Sequence, residues 1–96
     1  MKEDIVELHA IARGQVQGVG FRATVHYQAT QLGLRGTVCN LSDGNVEIYA
    51  QGTMEELQSL LSNIKQRFGN VYLEDISTHF HPPSKNFDSF TIVYRR

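Results

Sequence analysis

The chain has 96 residues, of which 41% are hydrophobic and 20% are charged, with two prolines. This length and composition predict one folded domain over residues 1–96 and exclude a disordered chain. Nine Lys and Arg against ten Asp and Glu give a net charge of −1. The balance argues against nucleic acid or an anionic membrane as the main partner, but it is compatible with a local site for one anion.

Cysteine content and hydropathy favour a cytoplasmic location. The single cysteine, Cys39, excludes an internal disulfide and a cysteine-cluster metal site. The N-terminal residues lack the pattern of a secretory signal, and no apolar run approaches the ~18 residues that a membrane span requires.

The first half of the chain alternates between strand and helix signals. Residues 5–12 alternate loosely between apolar and polar and predict a strand. Residues 14–20 contain three glycines and no helical period, so they predict a loop with unusual backbone angles. A helix is predicted from Phe21 to Gly33, because apolar residues share one helical face: Phe21, Val25, Ala29 and Leu32.

Two short strands follow, at residues 36–41 and 46–50, joined through Asp43-Gly44, which is a strong hairpin signal. Thr53-x-x-Glu56 is a capping box that opens a second helix, and Gly69 closes it. The apolar residues at helical spacing are Leu57, Leu60, Leu61, Ile64 and Phe68.

The last part of the chain predicts a strand over residues 71–80, a loop over 81–86 and a short strand over 90–94. The whole order predicts an α+β sandwich, with both helices on one face of an antiparallel sheet. The position of the short C-terminal strand is left open.

The glycine-rich loop has the features of an anion site. Consecutive N–H groups can converge there, and the start of the helix adds unpaired donors and the positive end of its dipole. Arg22, in the first helical turn, can bind a phosphate through two parallel hydrogen bonds. The alternative is that the glycines only make a tight turn between strand and helix.

Two nucleotide-binding motifs do not fit this loop. A Walker loop needs Gly-Lys-Ser/Thr where residues 20–22 are Gly-Phe-Arg. Residues 18–23 match the dinucleotide pattern GxGxxA, but that fold needs parallel strands, and the hairpin supplies an antiparallel pair.

Residues 14–22 (GQVQGVGFR) and 36–47 (GTVCNLSDGNVE) resemble the two signatures of the acylphosphatase family. These are Gly-x-Val-Gln-Gly-Val-x-Phe-Arg and Gly-x-Val-x-Asn-x-x-Asp-Gly-x-Val-Glu, and the resemblance runs over essentially the whole chain. It implies a ferredoxin-like βαββαβ sandwich. It also implies hydrolysis of acyl phosphates, on metabolites or on proteins, to a carboxylate and inorganic phosphate.

The resemblance further implies the residues of the site. Arg22 would hold the phosphate and Asn40 would position the attacking water. Backbone N–H groups would cradle the phosphoryl oxygens, from Gln15, Val16, Gln17, Gly18, Val19 and Gly20. No metal or other cofactor is expected, because fixed N–H donors and one arginine can stabilise the charge. Asn40 does not titrate, so we expect the substrate phosphate or bulk water to take the proton.

Other polar residues have structural interpretations. His79 and His81 lie two apart on a predicted strand, but no third metal ligand is in sight and a solvated face is favoured. His26 lies one helical turn after Arg22, and nothing requires it at the site. Cys39 is expected to be a buried small residue on the face opposite Asn40, which argues against a covalent phosphoenzyme.

Three other functions compete with the enzyme. An RNA-recognition module shares the element order but needs aromatic residues on its central strands, where the second hairpin strand offers only Tyr49. A binding module without turnover would not need both Arg22 and Asn40. The chain could also be the leading part of a carbamoyl-transfer enzyme, and its free-standing length of 96 residues argues against this alternative. We expect a monomer, with Arg95 and Arg96 as a solvated tail.

Overall fold

The computed structural model describes residues 4–94, which form two helices and one five-stranded sheet. Arg95 and Arg96 lie outside the described residues. In chain order the elements are β1 (Val6–Gly14), α1 (Phe21–Gln31), β2 (Arg35–Asn40), β3 (Val46–Gly52), α2 (Met54–Tyr72), β4 (Leu73–His81) and β5 (Phe90–Val93).

The strand order in the sheet is β4-β1-β3-β2-β5. The first four strands are antiparallel to their neighbours, whereas β5 runs parallel to β2. The α+β ferredoxin-like sandwich is therefore confirmed, and the short C-terminal strand makes the sheet mixed. This edge position places Val93, the last residue of β5, beside Cys39, which precedes Asn40 at the end of β2.

Alternation along the strands determines which face of the sheet meets the helices. Leu8, Ala10 and Ala12 of β1 are buried and lie opposite the buried residues Ala50, Ile48 and Val46 of β3. They form one core with the apolar faces of both helices, as the helical spacing predicts. From α1 the core receives Phe21, Val25 and Ala29, and from α2 Leu57, Leu60, Leu61, Ile64 and Phe68.

The capping box of α2 forms as predicted. Thr53 Oγ1 accepts the Glu56 N–H at 3.2 Å, and Glu56 Oε1 accepts the Thr53 N–H at 2.9 Å. Helical geometry is broken at Gly69, where φ is 50° and ψ is −147°, but one more turn follows through Tyr72. The predicted start of the next strand at residue 71 is therefore wrong by two residues, because this turn precedes Leu73.

The predicted turns also form. The Leu41 N–H donates to Asn45 O at 2.8 Å and closes the β2–β3 hairpin. Between residues 4 and 94, no helix is long and apolar enough to span a membrane.

Candidate active site

A loop of residues 15–20 connects the end of β1 to the start of α1. Gly18 and Gly20 have φ angles of 81° and 79°, in the left-handed region of backbone conformation that residues other than glycine rarely adopt. Gly20 is the N-cap of α1, and the first turn of this helix contains no acidic residue. The positive end of the helix dipole is therefore not offset by a carboxylate of that turn.

Three residues fix this loop. The Gln15 N–H donates to Tyr72 O at 2.8 Å, and the Val16 side chain is buried. The Gln17 side chain donates from Nε2 to two carbonyls of the β2–β3 turn, Leu41 O at 2.8 Å and Asn45 O at 2.9 Å. The loop is thereby tied to the hairpin that carries Asn40.

Most of the loop N–H groups have no internal partner. Among the described residues, no acceptor serves the N–H groups of residues 16–20. The Gln15 N–H is already used by Tyr72 O, so Gln15 cannot join the cradle without losing that bond. The role of residues 15–20 as a phosphate cradle stays a prediction, and residues 16–20 are the part of it whose N–H groups are unoccupied.

Arg22 lies in the first turn of α1 and is half-buried. Within residues 4–94 it makes no ion pair with a carboxylate. Its guanidinium carbon lies 5.0 Å from the centroid of the Tyr94 ring, in a cation–π contact. The charge of Arg22 is thus held in place without being neutralised.

Asn40, at the end of β2, is half-buried and lies opposite the core residue Val46. Its Oδ1 has no hydrogen-bond partner, and it is the one buried side-chain nitrogen or oxygen of the described chain in this state. A buried unsatisfied acceptor costs roughly 1–3 kcal/mol, so it marks a place for a donor from outside the protein.

These groups surround a cavity of about 210 Å³. Its lining residues are Val16, Gly18, Gly20, Phe21, Arg22, Ala23, Asn40, Ile92 and Tyr94. The structure brings Arg22 and Asn40 together with part of the predicted loop, while Gln15, Gln17 and Val19 lie outside this lining. The sequence does not predict Ile92 and Tyr94 as lining residues, because only the pairing of β5 with β2 places them beside the cavity.

The acylphosphatase family model matches residues 8–92. The chain belongs to the acylphosphatase family. An acylphosphatase from Chloroflexus aurantiacus is 36% identical over 91 residues, which are 95% of this chain and 99% of that protein.

Solved structures of acylphosphatases and of a longer protein have the same fold. The Bacillus subtilis acylphosphatase superposes with a TM-score of 0.85 at 37% identity, covering 93% of this chain and 99% of that one. Full-length HypF, in a phosphate- and nucleotide-bound form, gives a TM-score of 0.88 at 26% identity over 99% of this chain and 13% of its own. The acylphosphatase fold therefore also forms a small part of a larger chain.

The other predicted candidates lie elsewhere. The His26 ring packs 6.2 Å from the Phe90 ring, between centroids, and does not line the cavity. His79 is exposed and lies opposite His9 in the β1–β4 register. The described residues contain no group of three or more His, Cys, Asp or Glu placed to hold a metal. Cys39 is fully buried and its thiol contacts Asn40 O at 3.3 Å.

A second polar cluster, centred on Glu7, lies at the other end of β1 and was not anticipated. The carboxylate of Glu7 is completely buried and accepts from the Ser84 N–H and Oγ, both at 3.0 Å, and from Gln51 Nε2 at 2.8 Å. His81 Nε2 lies 3.8 Å away. Burial by itself raises the pKa of Glu7, but these hydrogen bonds and the His81 charge outweigh it and lower the pKa below its ordinary 4.5.

Proposed function

We propose that this chain, an acylphosphatase and hence a hydrolase, cleaves small acyl phosphates in the cavity between the glycine loop, Arg22 and Asn40. One observation carries the location of the site. Within residues 4–94, loop N–H groups without an acceptor, an arginine without an ion pair and an Asn40 oxygen without a donor lie around the same cavity of about 210 Å³. Each of these groups lacks what a phosphate or a water would supply.

The phosphoryl group would bind to the N–H groups of residues 16–20 and to Arg22. Three kinds of positive potential coincide there: the N–H groups, the helix N-terminus and the guanidinium. Because phosphoryl transfer depends mainly on positioning and on stabilising charge at the equatorial oxygens, these groups supply what the reaction needs. The anion also relieves the cost of an arginine at a helix N-terminus.

The attacking water would donate a hydrogen bond to Asn40 Oδ1. The oxygen of the water forms the new bond to phosphorus while the bond from phosphorus to the acyl oxygen breaks. The carboxylate leaves with the electron pair of that bond. A carboxylate is a good leaving group, so the step does not require a strong general acid. The proton of the water passes to the substrate phosphate or to bulk water, because Asn40 does not titrate.

The test is phosphate release from benzoyl phosphate and acetyl phosphate, with and without a chelator, by the wild type, Arg22→Gln and Arg35→Gln. Arg35 is an exposed arginine at the far end of β2 and serves as the matched control. We expect Arg22→Gln to lower kcat/KM by about 10²-fold or more, as for a removed oxyanion donor, and Arg35→Gln to leave it unchanged.

Each failure would have its own meaning. An inert wild type would overturn hydrolysis. Full activity in Arg22→Gln would leave hydrolysis standing and overturn the site. Loss of activity on chelation would contradict only the metal-free mechanism.

We further propose a monomeric, single-domain protein of the cytoplasm. The continuous core of the described chain supports one domain, and the buried free thiol of Cys39 is suited to a reducing compartment. Light scattering coupled to gel filtration tests the oligomeric state, and a dimer mass would contradict it. Fractionation of the source cells tests the location.

A further inference from the structure

The cavity has an apolar wall that the hydrolysis step does not use. Ile92 lies opposite Val38 in the parallel register of β2 and β5, and Val38 is a core residue on the helix side of the sheet. Side chains alternate along a strand, so Ile92 lies on the same side of the sheet as Val38 and Asn40. Both Ile92 and Tyr94 line the cavity.

Tyr94 is placed at the mouth of this cavity. Its side chain belongs to a residue that is 74% exposed, yet its ring centroid lies 5.0 Å from the guanidinium carbon of Arg22. A phosphate bound to Arg22 therefore has an aromatic ring close to it. The acyl group is bonded to that phosphate through one oxygen, so in the bound substrate it must lie next to the phosphate and outside the cradle.

We infer that Tyr94 and Ile92 form the binding site for the acyl group, and that Tyr94 makes the enzyme favour acyl phosphates with a flat, apolar acyl group. The inference rests on the proposed function. The donors of the cavity are all directed to a phosphate by that proposal, which leaves the apolar lining for the carbon part of the substrate. In this lining Val16 and Phe21 are buried and Ala23 offers only a methyl group, so Ile92 and Tyr94 supply the larger accessible surface. A benzoyl ring can stack on Tyr94, whereas an acetyl methyl group offers little area to it.

The experiment compares kcat/KM for benzoyl phosphate and acetyl phosphate in the wild type, Tyr94→Ala, Tyr94→Phe and Tyr27→Ala. Tyr27 is a matched control, because it is 60% exposed on α1 and does not line the cavity. We expect the benzoyl-to-acetyl ratio to fall about two- to tenfold in Tyr94→Ala, the range of one aromatic stacking contact. In Tyr94→Phe and Tyr27→Ala the ratio of kcat/KM for benzoyl phosphate to that for acetyl phosphate should match the ratio in the wild type.

Inhibition by inorganic phosphate separates this role from a role through Arg22. Phosphate has no acyl group, so its inhibition constant should stay within about twofold in Tyr94→Ala. An equal loss for both substrates with weaker phosphate inhibition would show that Tyr94 only positions Arg22, and would overturn the inference.

The ratio also distinguishes the two proposals. Both substrates are measured on one preparation, so a partly unfolded variant lowers both rates equally and leaves the ratio intact. An active wild type with an unchanged ratio in Tyr94→Ala overturns the acyl-group site and leaves hydrolysis standing. A wild type that is inert with both substrates overturns both.

Discussion

The two ends of β1 hold polar groups in opposite states. Near its start, the buried carboxylate of Glu7 accepts three hydrogen bonds from Ser84 and Gln51, with His81 close by. After its end, the N–H groups of residues 16–20 and Asn40 Oδ1 have no partners among the described residues. One strand thus separates a satisfied polar cluster from an unsatisfied one.

This difference is the basis on which we propose that the Glu7 cluster serves folding and that the groups around the cavity serve binding. A buried polar group with all its partners stabilises the native state, whereas a buried group without one costs stability that only an external ligand restores. Substitutions in the Glu7 cluster should therefore change stability, and substitutions around the cavity should change activity.

The largest expected effect is on activity, in Asn40→Ala. This change removes the acceptor for the attacking water, so kcat should fall about 10²-fold, or about 2.7 kcal/mol in the barrier. The thermal midpoint should stay at or above that of the wild type, because an unsatisfied buried oxygen is removed. Asn86→Ala, at an exposed loop asparagine, is the control for both measurements.

Next in size is Glu7→Gln. Glutamine keeps the shape of the side chain but brings a donor toward Ser84, so the free energy of unfolding at pH 7 should drop by about 2 kcal/mol. Urea titration measures the drop, and kcat/KM at 25 °C should match the wild type. Glu74→Gln, at an exposed position on β4, is the control. A tenfold loss of kcat/KM in folded Glu7→Gln would contradict the prediction that the Glu7 cluster affects stability and not activity.

The same residue predicts a pH dependence. The folded-state pKa of Glu7 is lowered from 4.5, so its carboxylate stabilises the fold fully above about pH 4.5. This contribution is lost as the pH falls through the lower, folded pKa. Stability measured from pH 6 downward should therefore decline less steeply in Glu7→Gln than in the wild type. Parallel curves would assign the acid sensitivity to other groups.

Inorganic phosphate should stabilise the folded protein only by binding in the cavity. At ten times its dissociation constant it should raise the free energy of unfolding by about 1.4 kcal/mol in the wild type and equally in Glu7→Gln. Arg22→Gln should show little of this increase at the same concentration. Equal stabilisation of all three proteins would point to a phosphate site outside the cavity.

The smallest effect is expected in Gln17→Ala. The Gln17 side chain donates to Leu41 O and Asn45 O, so its removal should lower stability by about 1 kcal/mol. It also loosens the loop relative to Asn40, and kcat should fall more than KM rises. Gln31→Ala, at an exposed position on α1, should change neither quantity.

The sequence determined the features that depend on neighbouring residues. The capping box at Thr53, the turn at Asp43-Gly44 and the glycine loop each act over a few residues, so local pattern was enough to predict them. The two family signatures are also local, and they were sufficient to single out Arg22 and Asn40 as candidates for the site.

Tertiary structure decided what depends on distant pairing. Nothing near Glu7 in the chain indicates that Ser84 will satisfy it, and nothing near Tyr94 indicates that it will reach Arg22. Both contacts require the sheet to be assembled, with β5 parallel to β2 and the segment after β4 folded back against β1. Hydrogen-bond satisfaction is a property of the assembled fold, so the sequence predicted the residues of the candidate site, and the structure shows which of their polar groups lack a partner among the described residues.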